Sequence, residues 1–173
     1  MKGLFSIVAI FCLLVFADIE LEKRILYDNK IEILIPKEFK DMPEKMQKIK
    51  YPGANPPKLV LSNERGTVNI AFNHTGSIAN QAAIESYLAY LGEAMKSAHP
   101  DAEWKGKGID IINGKKVGYL KLMTEAADQL IYNYIFFTDV DNKLFIGTFN
   151  CIKKLTQKWE PVAEEIVKSF RIL

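Results

Sequence analysis

Leu130-Ile131-Tyr132-Asn133-Tyr134-Ile135-Phe136-Phe137 is the stretch on which the reading of the fold turns. Side chains along a strand point alternately to its two faces. One parity here carries Leu130, Tyr132, Tyr134 and Phe136; the other carries Ile131, Ile135 and Phe137, interrupted only by Asn133. A strand apolar on both faces needs cover above and below, which predicts the interior of a sheet sandwiched between other layers.

The neighbouring segments supply that sheet. Ala102 to Ile112 runs into Asn113-Gly114, the dipeptide that accommodates the positive φ of a type I′ turn, and Lys116 to Thr124 returns from it. Beyond the decisive stretch, Asp139-Val140-Asp141-Asn142 turns the chain into Leu144 to Ile152, completing an antiparallel meander. Upstream, Glu20 to Tyr27, the turn Asp28-Asn29, and Ile31 to Ile35 before Pro36 predict an opening hairpin. Lys58 to Ser62 and Thr67 to Asn73, joined by Asn63 to Gly66, predict a second.

Two helices are expected to cover the sheet. Ile84, Tyr87, Leu88, Leu91, Met95 and Ala98 share one helical face, with Ser77 or Asn80 as cap and His99-Pro100 as stop. Trp159, Val162, Ala163, Ile166, Val167 and Phe170 form a second stripe. Pro161 is tolerable there if it falls in the first turn. A short helix is expected from Pro43 to Ile49 with Asp41 near its cap, then an irregular proline-rich loop from Tyr51 to Pro57. These elements predict one α+β domain, an antiparallel sheet sandwiched by helices in an α/β/α arrangement, over residues 18–173.

Residues 1–17 read differently. Lys2 is followed by an apolar run from Gly3 to Phe16, and Val15-Phe16-Ala17 resembles a signal cleavage site. The run is short for a bilayer span, so a signal peptide and an extracytoplasmic product, periplasmic or secreted, are expected, with no stable membrane span in the mature chain. A retained leader would make the protein cytoplasmic or anchored, and Cys12 is an alternative lipidation site, although Phe11 is bulky where such a signal wants a small residue. The two cysteines are Cys12, in the leader, and Cys151, among apolar neighbours. Loss of the leader would preclude an intramolecular disulfide.

A formal charge of +2, with acids interspersed among the lysines, argues against nucleic-acid binding. The densest basic cluster, Lys45, Lys48, Lys50 and Lys58 around Tyr51, is diluted by Asp41 and Glu44. His74 and His99 lack metal-ligand spacing, and Asp139 to Asn142 lack the glycine and distal glutamate of a calcium loop, so no metal is expected. Asn73-His74-Thr75 is a glycosylation triplet of a kind common by chance. No phosphate loop, nucleophile elbow or paired carboxylates suggest an enzyme or a cofactor. Aromatic and arginine anchors dominate protein interfaces, which selects Tyr51 and Asn55 of the proline-rich loop, Arg65 and Trp104 as candidate partner-binding residues.

Four features together resemble the DcrB/PsbP-like domains: Ile33-Leu34-Ile35-Pro36 followed by Phe39, a long helix after the second strand pair, the Asn113-Gly114 hairpin, and the ending Trp159 to Ile166-Val167-Lys168-Ser169-Phe170. The resemblance spans Leu21 to Leu173. It implies an α/β/α sandwich and a non-catalytic binding role, as in photosystem extrinsic subunits, small bacterial exported proteins, a nuclear GTPase-binding factor and chaperone-like adaptors. It carries over no catalytic residue. The expected function is an exported module binding a protein or envelope component. The alternatives are an adaptor holding an apolar client segment, and a small-ligand carrier or enzyme with a pocket between helix and sheet.

Overall fold

The computed structural model describes residues 18–126 and 129–173. The expected signal peptide and Cys12 lie outside the described residues. Strands β1 (Leu21–Leu26) and β2 (Ile31–Pro36) form the opening hairpin. Next come β3 (Lys40–Asp41), α1 (Glu44–Lys50), β4 (Leu59–Ser62), β5 (Val68–Ile78) and α2 (Ile84–Ala98). The meander β6 (Glu103–Ile112), β7 (Lys115–Ala126), β8 (Gln129–Val140) and β9 (Lys143–Ile152) leads to α3 (Thr156–Ser169) and β10 (Arg171–Ile172). All described strand pairings are antiparallel.

Seven strands make one sheet in the order β3-β4-β5-β9-β8-β7-β6, while β1, β2 and β10 make a separate small sheet. The decisive stretch lies in β8, an interior strand paired with both β7 and β9. Its Tyr132, Tyr134 and Phe136 are buried on the face covered by α3 and the small sheet, where they meet Ile31, Ile33 and Phe170. Its other face turns Phe137 into a second cluster with Leu120, Leu122 and Ile84, beneath α2. The α+β sandwich with helices on opposite faces therefore stands. The addition is the small sheet, which shares the α3 side.

The two sides are unequally covered. Trp159, Ala163, Ile166 and Val167 of α3 are all buried, whereas Tyr87, Leu88, Leu91 and Met95 of α2 are only half-buried. Full burial of a large apolar side chain contributes about 1.5–3 kcal/mol, so the α3 side carries most of the packing energy.

Several expectations need correction. Ser77 does not open α2: β5 runs on to Ile78, with irregular pairing to β9 after His74. Asn80 instead accepts the Ala83 N–H through its side chain at 3.1 Å, in the turn that leads into the helix. Pro161 lies beyond the first turn of α3, which begins at Thr156. It and Gln157, whose carbonyl loses its helical partner, are both exposed, so that carbonyl is open to solvent. Asp41 pairs with Leu61 in β3 rather than capping α1. The short strand β10 has no two-residue alternation long enough to be read from sequence, and it exists because β2 offers it an edge.

Both tight turns of the meander follow their chemistry. Asn113 and Gly114 have φ of 47° and 81°, and Asp141 and Asn142 have 52° and 58°. These are two-residue turns whose left-handed backbone conformation (positive φ) suits asparagine, aspartate and glycine.

Candidate functional site

Asn133, which breaks the apolar alternation of β8, stands in register with Asn150 of β9, which in turn faces Asn69 of β5. The three amides form a row across the α2-side face of the sheet. Asn150 Nδ2 donates to Asn133 Oδ1 at 2.6 Å, and Asn133 Nδ2 donates to Thr124 Oγ1 at 3.0 Å. Tyr51, the first residue of the proline-rich loop, closes the row by donating its phenol hydrogen to Asn69 Oδ1 at 2.8 Å. Gln47 Nε2 donates to the Pro57 carbonyl at 2.8 Å, pinning the far end of the loop to α1. Burial pushes the Tyr51 phenol up to about 12.

This geometry gives Tyr51 a job inside the molecule. Its ring is packed with Met42, Val60 and Ala71, and its hydroxyl is spent on the sheet. The loop it anchors presents other residues. Asn55 is exposed and lines a shallow depression with Lys58, Asn73 and His74. Asn73 of the glycosylation triplet is half-buried within β5 and paired with Ile146, a poor position for an attached glycan. Arg65 is exposed in the β4–β5 turn, where neighbouring Gly66, at φ 62°, lies against Met46 and Lys50 of α1.

Trp104 is elsewhere. It sits on β6, 36% exposed, with the Lys107 ammonium 5.9 Å from its ring centroid. Strands β9, β8 and β7 separate β5 from β6. At about 4.8 Å per strand that is roughly 19 Å, so the four candidates do not make one patch. Tyr51, Asn55 and Arg65 belong to the β4–β5 end, and Trp104 to the opposite edge. Around Trp104, a shallow depression is lined by Gly92, Glu93, Lys96 and Lys107.

The amide row was missed in sequence. The available sign was asparagine at the middle of three strands, where it is ordinarily depleted. Among the described residues no group of three or more His, Cys, Asp or Glu side chains could hold a metal ion. Cys151 is buried, and desolvation raises its thiol to about 11, which keeps it protonated and a poor nucleophile near neutral pH. Among the described residues no helix is long and apolar enough to cross a membrane.

No family model matches the chain, and no curated protein matches it by sequence. Solved structures do. The solution structure of cyanobacterial PsbP (CyanoP) from Synechocystis superposes with a TM-score of 0.58 at 14% identity, over 98% of this chain and 99% of that one. The Ran-binding protein Mog1p of Saccharomyces cerevisiae gives 0.51 at 12% identity, over 90% and 96%. A protein of unknown function from Pseudomonas aeruginosa gives 0.51 at 12%, over 86% and 94%. These identities speak for architecture and support the PsbP side of the expected resemblance; the chain has the PsbP/Mog1-like α+β fold.

Proposed function

We propose that this protein is an exported, non-catalytic module that binds a protein partner at the cell envelope. The observation that carries the reading is the shared architecture, over nearly the whole length of both chains, with CyanoP and with Mog1p, the latter a Ran-binding protein. A fold alone does not specify a role. The buried, protonated Cys151 and the structural use of Tyr51 add to it, because both withdraw the more reactive side chains from chemistry. Export rests on the leader sequence, Lys2 with the apolar run to Phe16.

The test is N-terminal sequencing of the natural product combined with cross-linking in the envelope fraction. A chain starting at Asp18 and cross-linked to one reproducible protein is the expected result. An intact Met1 in the cytosol would overturn the export reading, and a chain with no reproducible partner would overturn the binding one.

The adaptor reading related to DcrB has one observation in its favour. The half-buried stripe Tyr87, Leu88, Leu91 and Met95 on α2, with Tyr90 68% exposed beside it, leaves apolar surface that a client segment could cover. Protection of α2 amides by a client peptide, in a cytosolic protein with its leader intact, would favour that reading over the first.

A further inference from the structure

Strand β6 ends the seven-stranded sheet, pairing with β7 alone. The two-residue Asn113-Gly114 turn makes Ile112 and Lys115 the hydrogen-bonded pair that closes the hairpin. Because bonding alternates along an antiparallel pair, Asp110 and Gly108 also direct their N–H and C=O groups at β7. Ile111, Ile109 and Lys107 direct theirs away from the sheet. Their side chains share the α2-side face with Trp104, whose register partner is Leu122. Ile111 is 69% exposed, and the alternate residues Gly106 and Gly108 place no bulk on the opposite face.

We infer that this edge accepts one extended segment of a partner protein as an eighth, antiparallel strand, with apolar residues opposite Ile111 and Ile109 and an acid opposite Lys107. The inference rests on the protein-binding reading and deepens it. Main-chain bonds from three outward residues supply affinity, and alternate side chains supply selectivity. Lys107 decides the charge of the partner. Lys107, whose ammonium lies over the Trp104 ring, forms no salt bridge among the described residues, so an acid opposite it adds a cross-strand ion pair.

The same residue argues against a second copy as occupant. Self-pairing centred on Ile109 would set each Lys107 against the exposed Ile111 of the other copy. The register break between Trp104 and Gly106, with Lys105 beside it, further shortens the usable edge and is a recognised guard against self-association.

The probe is a synthetic peptide, Thr-Val-Thr-Val-Thr-Glu-Thr, titrated into the full chain by calorimetry and followed by amide hydrogen exchange. In the free protein, the amides of Gly108 and Asp110 should be protected and those of Lys107, Ile109 and Ile111 fast. Saturating peptide should slow the latter three selectively. Ile109→Pro removes an outward donor while leaving the β7-facing bonds in place, and should weaken binding at least about tenfold. Lys107→Glu leaves the backbone intact and should shift preference to the peptide carrying Lys in place of Glu, which guards against a proline variant that misfolds.

Binding unchanged in both variants, or exchange unaltered at Ile109 and Ile111, overturns the inference. So does a concentration-dependent dimer that Ile109→Pro abolishes in a protein that ignores the peptide; that outcome would make a second copy the occupant. A natural partner that still cross-links to the Ile109→Pro protein would remove the edge while sparing the broader protein-binding reading.

Discussion

The phenol of Tyr51 reaches Asn69 Oδ1 at 2.8 Å across a gap in chain position of 18 residues, tying the irregular loop to the sheet interior. Asn69 is 2% exposed, so its carbonyl oxygen depends on that one hydrogen. Tyr51→Phe keeps the ring and leaves the oxygen without its donor. The expected loss is about 1–3 kcal/mol in chemical denaturation, with faster proteolysis between Tyr51 and Lys58. Unchanged stability would show that water serves Asn69 equally well.

Tyr27 presents the opposite case. Its hydroxyl is buried without a partner among the described residues, in a residue whose φ of 53° opens three consecutive left-handed residues. An unpaired buried hydroxyl costs free energy. Tyr27→Phe should therefore be neutral or stabilising, by up to about 1 kcal/mol. A clear loss in thermal unfolding would mean that the hydroxyl has a hydrogen-bond partner after all.

Burial raises the phenols of both Tyr27 and Tyr51 to about 12, above the unfolded value of 10.0. A raised acid pKa favours the proton in the folded state, so the stabilisation is full below pH 10 and falls as pH climbs towards 12. Denaturation midpoints should hold level to about pH 8, begin to fall as the unfolded Cys151 thiol ionises, and decline further above pH 10 as the unfolded phenols follow. The double variant Tyr27→Phe with Tyr51→Phe should lessen that decline, leaving the part that comes from Tyr132, Tyr134 and Cys151, which burial also pushes up. An equal decline in the double variant would assign alkaline sensitivity to other groups.

Most of the layer plan was legible in sequence because it depends on periodicity. The alternation of β8 and the stripe of α3 each predict burial, and Tyr132, Phe136, Trp159 and Ile166 are buried. Position along the sheet was less accessible. Nothing local to β5 says that it pairs with β9, yet that pairing brings Asn69 beside Asn150 and creates the row that holds Tyr51. The selection of Tyr51 and Trp104 as interface anchors followed from residue type. Type alone does not tell whether an aromatic is turned in, as Tyr51 is, or lies at an edge, as Trp104 does. β10 and β3, two residues each, exist only because longer strands offer them partners.

Two glycines test the packing of the decisive strand from both faces. A Cβ on Gly147 would lie 2.1 Å from the Phe136 ring, and one on Gly118 would lie 2.3 Å from the Phe137 ring. Neither ring can retreat, since both are fully buried. Gly147→Ala and Gly118→Ala should each cost about 1–3 kcal/mol or more, whereas Gly53→Ala, with open space around it, should be near neutral. Equal effects at all three positions would mean that backbone entropy, rather than ring contact, sets the cost.

The thiols offer a direct measure of processing. Cys151 is 1% exposed and its thiol is raised to about 11 by burial, so it should react with a thiol reagent at pH 8 only as fast as the fold opens. Cys12 belongs to the apolar leader. The natural product, if cleaved after Ala17, should therefore show no fast-reacting thiol and one that appears on denaturation. A second thiol equivalent on denaturation means the leader is retained. Rapid labelling of Cys151 itself in the native protein, located by peptide mapping, would contradict its burial and reopen the question of its chemistry.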